Sequence, residues 1–117
     1  MKSIRGAVGP EIPIRIDANQ GWKKDSAIHI LNEIASLNIQ HCEEPVSRHL
    51  YMQLPEIRKR SPIKIMADES CCIPVDAERL IELGACDMFN IKKVYAATVN
   101  VVRSEPFMAR QVKHVYQ

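Results

Sequence analysis

Short apolar runs alternate with longer amphipathic stretches along the 117-residue chain, and this alternation predicts strands separated by helices. The apolar runs short enough for strands cover residues 12–16, 39–42, 63–67 and 88–91. The stretches with apolar residues at helical spacing cover residues 25–37, 50–59 and 74–83. We therefore predict an α/β fold with about four parallel strands and flanking helices.

Residues with strong backbone preferences mark several helix ends. Asp25 or Ser26 can cap the start of the helix predicted over residues 25–37. Residues 1–8 read as the end of a helix that Gly9 stops, so we expect the chain to begin inside a larger unit. Beyond Val94 the pattern loosens. Residues 96–103 could form a helix and residues 107–117 a second amphipathic piece.

A charged residue closes each predicted strand, at a nearly constant spacing. Asp17 lies 26 residues before Glu43, Glu43 lies 25 before Asp68, and Asp68 lies 24 before Lys92. Such a period is typical of repeated βα units, whose strands present their carboxyl ends at one edge of a sheet. Three carboxylates gathered there suit a divalent cation of the magnesium type. For any one of them taken alone, a capping role is the better interpretation.

Charge and composition exclude some classes of function. The net charge of +2 is small and the basic residues are scattered, so nucleic-acid binding has little support. No apolar run approaches the ~18 residues of a membrane span, so we expect no membrane association. The four cysteines show neither a CxxC motif nor a paired histidine spacing, which favours reduced thiols and a cytoplasmic protein.

Four motifs together carry a resemblance to a known family. They are DANQGW at 17–22, EEPV at 43–46, IMADES at 65–70, and NIK at 90–92 following Asp87. In this order and spacing they resemble the enolase superfamily, within it the muconate-lactonizing subgroup, and especially the dipeptide epimerases of the L-Ala-D/L-Glu type. The resemblance covers about residues 4–93. It implies a catalytic (β/α)8 TIM barrel, of which this chain supplies the third to sixth strands.

The resemblance also implies a role for each residue at the strand ends. The implied Mg²⁺ ligands are Asp17, Glu43 and Asp68, and the implied supporting polar groups are Asn19 and Asn90. Lys92, rather than Lys93, would be the acid/base on one face of a small carboxylate substrate, a dipeptide or amino-acid derivative. Removing a proton α to a carboxylate builds negative charge on oxygen, which a divalent cation stabilises.

Other residues near the strand ends have simpler interpretations. Glu44 and Glu69 are expected to be supporting or surface groups rather than ligands. His41 shares the alternation of Glu43 and could point inward, although a structural role is favoured. Trp22 is expected to pack over a loop.

The sequence also departs from the family pattern. The family's second catalytic lysine belongs to a Lys-x-Lys motif on the preceding strand, and this chain has no such motif. Ala96 and Ala97 replace an expected glycine pair. We therefore expect residues 1–95 to form a partial catalytic barrel and residues 96–117 a divergent C-terminal segment.

Two function hypotheses follow. In the first, the chain is a fragment of a Mg²⁺-dependent epimerase or cycloisomerase and is inactive in isolation. In the second, it is a non-catalytic, truncated half-barrel that persists as an oligomeric module. An open half-barrel leaves two strand edges unpaired, so we expect a homo-oligomer in either case.

Overall fold

A parallel sheet of five strands forms the centre of the molecule. The computed structural model describes residues 1–90 together with the strand at 114–116. The strands are β1 (Ile14–Asp17), β2 (Ile39–Glu43), β3 (Lys64–Ala67), β4 (Met88–Asn90) and β5 (His114–Tyr116). The helices are α1 (Lys2–Val8), α2 (Lys24–Glu33), α3 (Leu54–Arg60) and α4 (Pro74–Leu83), and two 3₁₀ helices cover Ala35–Leu37 and Arg48–Gln53. The order of the strands in the sheet is their order in the chain.

The predicted architecture is confirmed for the four strands expected from the sequence. Each pairs in parallel with the next, and helices connect them. The fifth strand was not predicted: His114 pairs with Met88, within a segment read only as amphipathic. The helix considered for residues 96–103 and the boundary placed at residue 95 lie outside the described residues.

Local chemistry explains where the helices end. Helix α4 has the predicted bounds, because a proline occupies its first turn and Gly84 ends it in the left-handed conformation with φ of 65°. Helix α2 ends earlier than predicted, and a 3₁₀ turn leads to Asn38, which is also left-handed with φ of 54°. The predicted side-chain cap by Asp25 or Ser26 is wrong. Lys23 occupies the cap position, and no side chain caps the first turn.

The core lies between one face of the sheet and the helices. Its fully or almost fully buried residues include Ala27 and Leu31 on α2, Leu54 and Ile57 on α3, Ala77, Leu80 and Ile81 on α4, and Cys42, Ile65, Ala67 and Phe89 on the strands. Trp22, which was expected to pack over a loop, packs against this core and pairs with Val46 in an isolated bridge. Helix α1 buries no residue. Among the described helices, none has the length and apolar character needed to cross a membrane.

An ion pair fixes the amino end of β3. Arg58 on α3 contacts Asp87 at 2.9 Å, and the other oxygen of Asp87 accepts a 2.9 Å hydrogen bond from the backbone N–H of Ile65. Arg58 also donates to the carbonyl of Gly84 at the end of α4. The Asp87 carboxylate therefore joins α3 to the start of a central strand, and Arg58 joins α3 to the end of α4.

Candidate functional site

The strand register brings the predicted acidic residues to one edge of the sheet. Asp17 pairs with Glu43 at the ends of β1 and β2, and Glu43 pairs with Met66 on β3. Asp68 directly follows β3, two residues beyond Met66. Because the strands are parallel, all three carboxylates lie at the carboxyl edge, where α/β folds bind their ligands.

Glu43 is the electrostatic centre of this group. Its Oε1 accepts a 3.0 Å hydrogen bond from the side-chain amide of Asn90. Burial raises the pKa of Glu43 to about 7, and a hydrogen bond with Asp68 and the negative charges of Asp17 and Asp68 act in the same direction. The Asn90 amide opposes them and lowers this pKa. The carboxyl groups of Asp17 and Asp68 are therefore close enough to Glu43 to disfavour its ionisation.

A cleft of about 300 Å³ opens beside these groups. It is lined by Arg15, Ile16, Asp17, His41, Glu43, Met66 and Asn90. His41 is buried and lines the cleft on the same side as Glu43, as its place in the alternation allowed. Burial lowers the pKa of His41, and the positive charges of Arg15 and Lys64 lower it further. The neutral imidazole is therefore favoured there.

Asn19 contacts Asp17 through its backbone. The N–H of Asn19 donates a 2.8 Å hydrogen bond to Oδ1 of Asp17, in a turn where Asn19 has φ of 48°. Both residues are exposed. This hydrogen bond, within the turn that follows β1, therefore orients the carboxylate of Asp17.

Glu44, for which a supporting or a surface position was expected, does not lie on the surface. This residue is completely buried, and its Oε2 accepts hydrogen bonds from the backbone N–H groups of Asp68 at 2.7 Å and Ser70 at 3.2 Å. Its Oε1 is hydrogen-bonded to the Ser70 hydroxyl. One signal was available, because a residue directly after Glu43 faces away from the cleft by strand alternation. A carboxylate on that side must find donors in the core.

Of the two remaining residues singled out in the sequence, Lys92 and Glu69, the structure describes only Glu69. Lys92 lies outside the described residues, so its role as an acid/base stays a prediction. Glu69 is partly buried, and its Oε2 has no hydrogen-bond partner among the described residues.

The donor chemistry at these strand ends fits a magnesium-type ion, although the side chains are not gathered around one point. Within the described part of the chain, no three His, Cys, Asp or Glu side chains are grouped closely enough to hold a metal ion. Asp17, Glu43 and Asp68 nevertheless offer the hard oxygen donors that Mg²⁺ prefers. The raised pKa of Glu43 reflects a concentration of negative charge that a bound cation would offset.

Comparison with known proteins identifies the family of the chain. The sequence pattern of the family described as enolase C-terminal domain-like matches residues 1–112. The chain belongs to this family. Within it, the D-Ala-D/L-Ala epimerase of Cytophaga hutchinsonii is 53% identical over 107 residues, which cover 88% of this chain and 29% of that protein.

Solved structures of family members superpose on the chain. A dipeptide epimerase from Cytophaga hutchinsonii, complexed with Mg and the dipeptide D-Ala-L-Val, has a TM-score of 0.85 and 49% identity. It matches 97% of this chain, which covers 32% of that structure. A muconate lactonizing enzyme from Pseudomonas fluorescens, complexed with muconolactone, has a TM-score of 0.84 and 26% identity, with 96% of this chain and 31% of that enzyme covered.

These relatives confirm two of the predictions. The resemblance to dipeptide epimerases and the muconate-lactonizing subgroup is confirmed, and so is the reading of the fold as a partial barrel. The chain spans less than a third of the length of these relatives.

Proposed function

We propose that the chain forms part of a Mg²⁺-dependent epimerase or cycloisomerase that removes a proton α to a carboxylate, with a dipeptide or amino-acid derivative as substrate. The observation that carries this proposal is the convergence of three acidic residues at the carboxyl edge of the sheet. The charges of Asp17 and Asp68 act on Glu43 from the two neighbouring strands. Similarity to an epimerase complexed with Mg and a dipeptide supports the same assignment.

The proposed roles follow from the chemistry of each side chain. Asp17, Glu43 and Asp68 would hold the ion, which supplies positive charge beside the substrate carboxylate as the α proton leaves. Lys92 would accept or return that proton on one face of the substrate. Asn90 orients Glu43 through its hydrogen bond to Oε1, and Asn19 fixes Asp17 through its backbone N–H.

The isolated chain is proposed to bind Mg²⁺ without converting a dipeptide, because it holds no Lys-x-Lys motif to act on the opposite face. A non-catalytic half-barrel in an oligomer is the second candidate. It is favoured because, in residues 1–90, no three His, Cys, Asp or Glu side chains are grouped closely enough to hold a metal ion. In both cases we propose a homo-oligomer, and a monomer by light scattering would contradict that part.

The melting temperature with and without millimolar Mg²⁺ tests the proposal. A ligand at ~100 times its dissociation constant adds about 2.7 kcal/mol of stability, which gives a readily measured shift. We expect a shift in the native chain and its loss in Asp68→Asn. Glu82→Gln is the matched control, because it removes an exposed carboxylate on α4 and should keep the full shift. A native chain that melts at the same temperature with and without Mg²⁺ would favour the non-catalytic candidate.

A further inference from the structure

Glu44 contacts the ends of all three strands that carry the acidic residues. Its backbone N–H donates to the carbonyl of Met66 on β3 at 2.9 Å, and its carbonyl accepts from Gln20 after β1 at 2.9 Å. Its side chain accepts hydrogen bonds from the backbone of Asp68 and from both the backbone and the hydroxyl of Ser70.

We propose that Glu44 is a positioning residue that fixes Asp68 relative to Glu43 and so sets the affinity of the site for Mg²⁺. This inference rests on the proposed function, because it assigns Glu44 a role toward the ion that Asp68 and Glu43 would bind. Glu44 itself faces the core and is not a ligand in this proposal.

The position of Glu44 in the chain makes this coupling direct. Glu43 and Glu44 are adjacent, yet Glu43 lines the cleft and Glu44 is completely buried. The Glu44 carboxylate holds the N–H of Asp68 itself, so only one residue separates the two proposed ligands along this path. A shift of the turn after β3 would therefore change the distance between the Asp68 and Glu43 carboxylates.

The backbone and side-chain energetics indicate that this arrangement is rigid. A buried carboxylate is costly unless donors satisfy it, and here three donors from one turn do so. Glu44 also has φ of 39°, a left-handed conformation that is unfavourable for a residue with a side chain. A residue in this conformation with its buried carboxyl oxygens fully hydrogen-bonded has few alternative arrangements.

A purely structural role is the competing explanation, and Asp87 provides the matched control. Asp87 also accepts a backbone N–H of β3, that of Ile65, but at the opposite end of the strand from Asp68. Glu44→Gln and Asp87→Asn each replace a carboxylate by a neutral amide, so the hydrogen bonds that remain are no longer strengthened by a negative charge on the acceptor. Both changes weaken a hydrogen bond that holds the backbone at one end of β3, but only Glu44→Gln does so beside the proposed metal site.

Calorimetric titration with MgCl₂ separates the two explanations. We expect Glu44→Gln to weaken Mg²⁺ binding roughly 10- to 100-fold, as losses of residues that orient metal ligands do. Ser70→Ala removes only the hydroxyl contact and should give a smaller loss, and Asp87→Asn should retain the native affinity. Equal losses in Glu44→Gln and Asp87→Asn, or none in Glu44→Gln, would overturn the proposal.

Amide hydrogen exchange provides a readout without metal. In Glu44→Gln or the milder Ser70→Ala, protection should fall at the amides of Asp68 and Ser70 while that of Ile65 persists. Asp87→Asn should give the reverse. Unchanged protection at Asp68 and Ser70 overturns the inference even if the native chain binds no Mg²⁺, an outcome that by itself contradicts only the proposed function.

Discussion

Asn90 donates a 3.0 Å hydrogen bond to Glu43, and this bond joins the end of β4 to the end of β2 across the intervening strand. The two residues are far apart in sequence, and the parallel register brings them together. A neutral amide is well suited to this position, because it favours the ionised form of Glu43 without adding charge. The bond therefore opposes the effects of burial and of the neighbouring acids.

Removing this amide should make Glu43 a weaker acid. We expect Asn90→Ala to raise the pKa of Glu43 above its native value of about 7, because burial and the charges of Asp17 and Asp68 then act unopposed. Carbon-13 NMR titration of the Glu43 carboxyl in metal-free protein measures the change. Asn32→Ala, on the exposed side of α2, is the control. An unchanged or lower pKa in Asn90→Ala would show that the amide does not stabilise the carboxylate.

The metal-free protein should lose stability as the pH rises through the titration of Glu43. The folded-state pKa of about 7 lies above the ordinary value of 4.5, so the folded chain binds this proton more tightly than the unfolded chain. The contribution of Glu43 to the free energy of unfolding is therefore largest below pH 4.5 and falls until about pH 7.

Glu43→Gln removes that titration. Urea denaturation in the presence of a chelator should show the variant gaining stability relative to the native chain at pH 8, and gaining less at pH 4.5. Glu82→Gln on the surface of α4 should show no such dependence. The electrostatic account fails if the difference between Glu43→Gln and the native chain is the same at both pH values.

The helices should differ in how much their apolar residues contribute to stability. Leu31 on α2 is completely buried, so Leu31→Ala should lower the free energy of unfolding by about 2–5 kcal/mol. Ile4 on α1 is 50% exposed, and Ile4→Ala should stay within about 0.5 kcal/mol of the native value. Urea denaturation of both variants measures this. A large loss in Ile4→Ala would mean that α1 is covered in solution, for example by a second copy of the chain.

Gly84 and Asn38 both have a left-handed backbone conformation, and substitutions at the two positions should affect stability differently. Gly84 ends α4 with φ of 65°, and Gly84→Ala should cost about 1 kcal/mol because an L side chain is strained there. The added Cβ would lie 3.6 Å from Arg58, an ordinary contact, so the cost comes from the backbone. Asn38→Gly, at φ of 54°, relieves strain and should be neutral or slightly stabilising. Thermal melts of the two variants check this contrast.

The sequence was most informative where one residue controls the local backbone. Proline at the start of α4 and Gly84 at its end gave the correct bounds, because their backbone preferences are largely independent of tertiary contacts. The end of α2 was placed too late, since Ile34 is apolar and fits the helical period although its backbone has left the helix. Periodicity reports which face is buried, and the hydrogen-bonding pattern can change from α to 3₁₀ without altering it.

Contacts between distant segments were harder to predict. The fifth strand pairs in parallel with β4, and nothing local distinguishes its three residues from a short helical stretch. The sequence did not decide between a supporting and a surface position for Glu44, because its donors lie on the turn after the next strand. By contrast, the spacing of Asp17, Glu43 and Asp68 was enough to place them at one edge of the sheet.

The order of the strands also bears on how the chain assembles during synthesis. Since each strand pairs with the strands next to it in the sequence, none of the five described strands has to insert into a sheet already formed. Pairing can proceed from the amino terminus one strand at a time, as the ribosome releases the chain. Asp17 and Glu43 can therefore meet first, and Asp68 can join them when β3 adds to the growing edge.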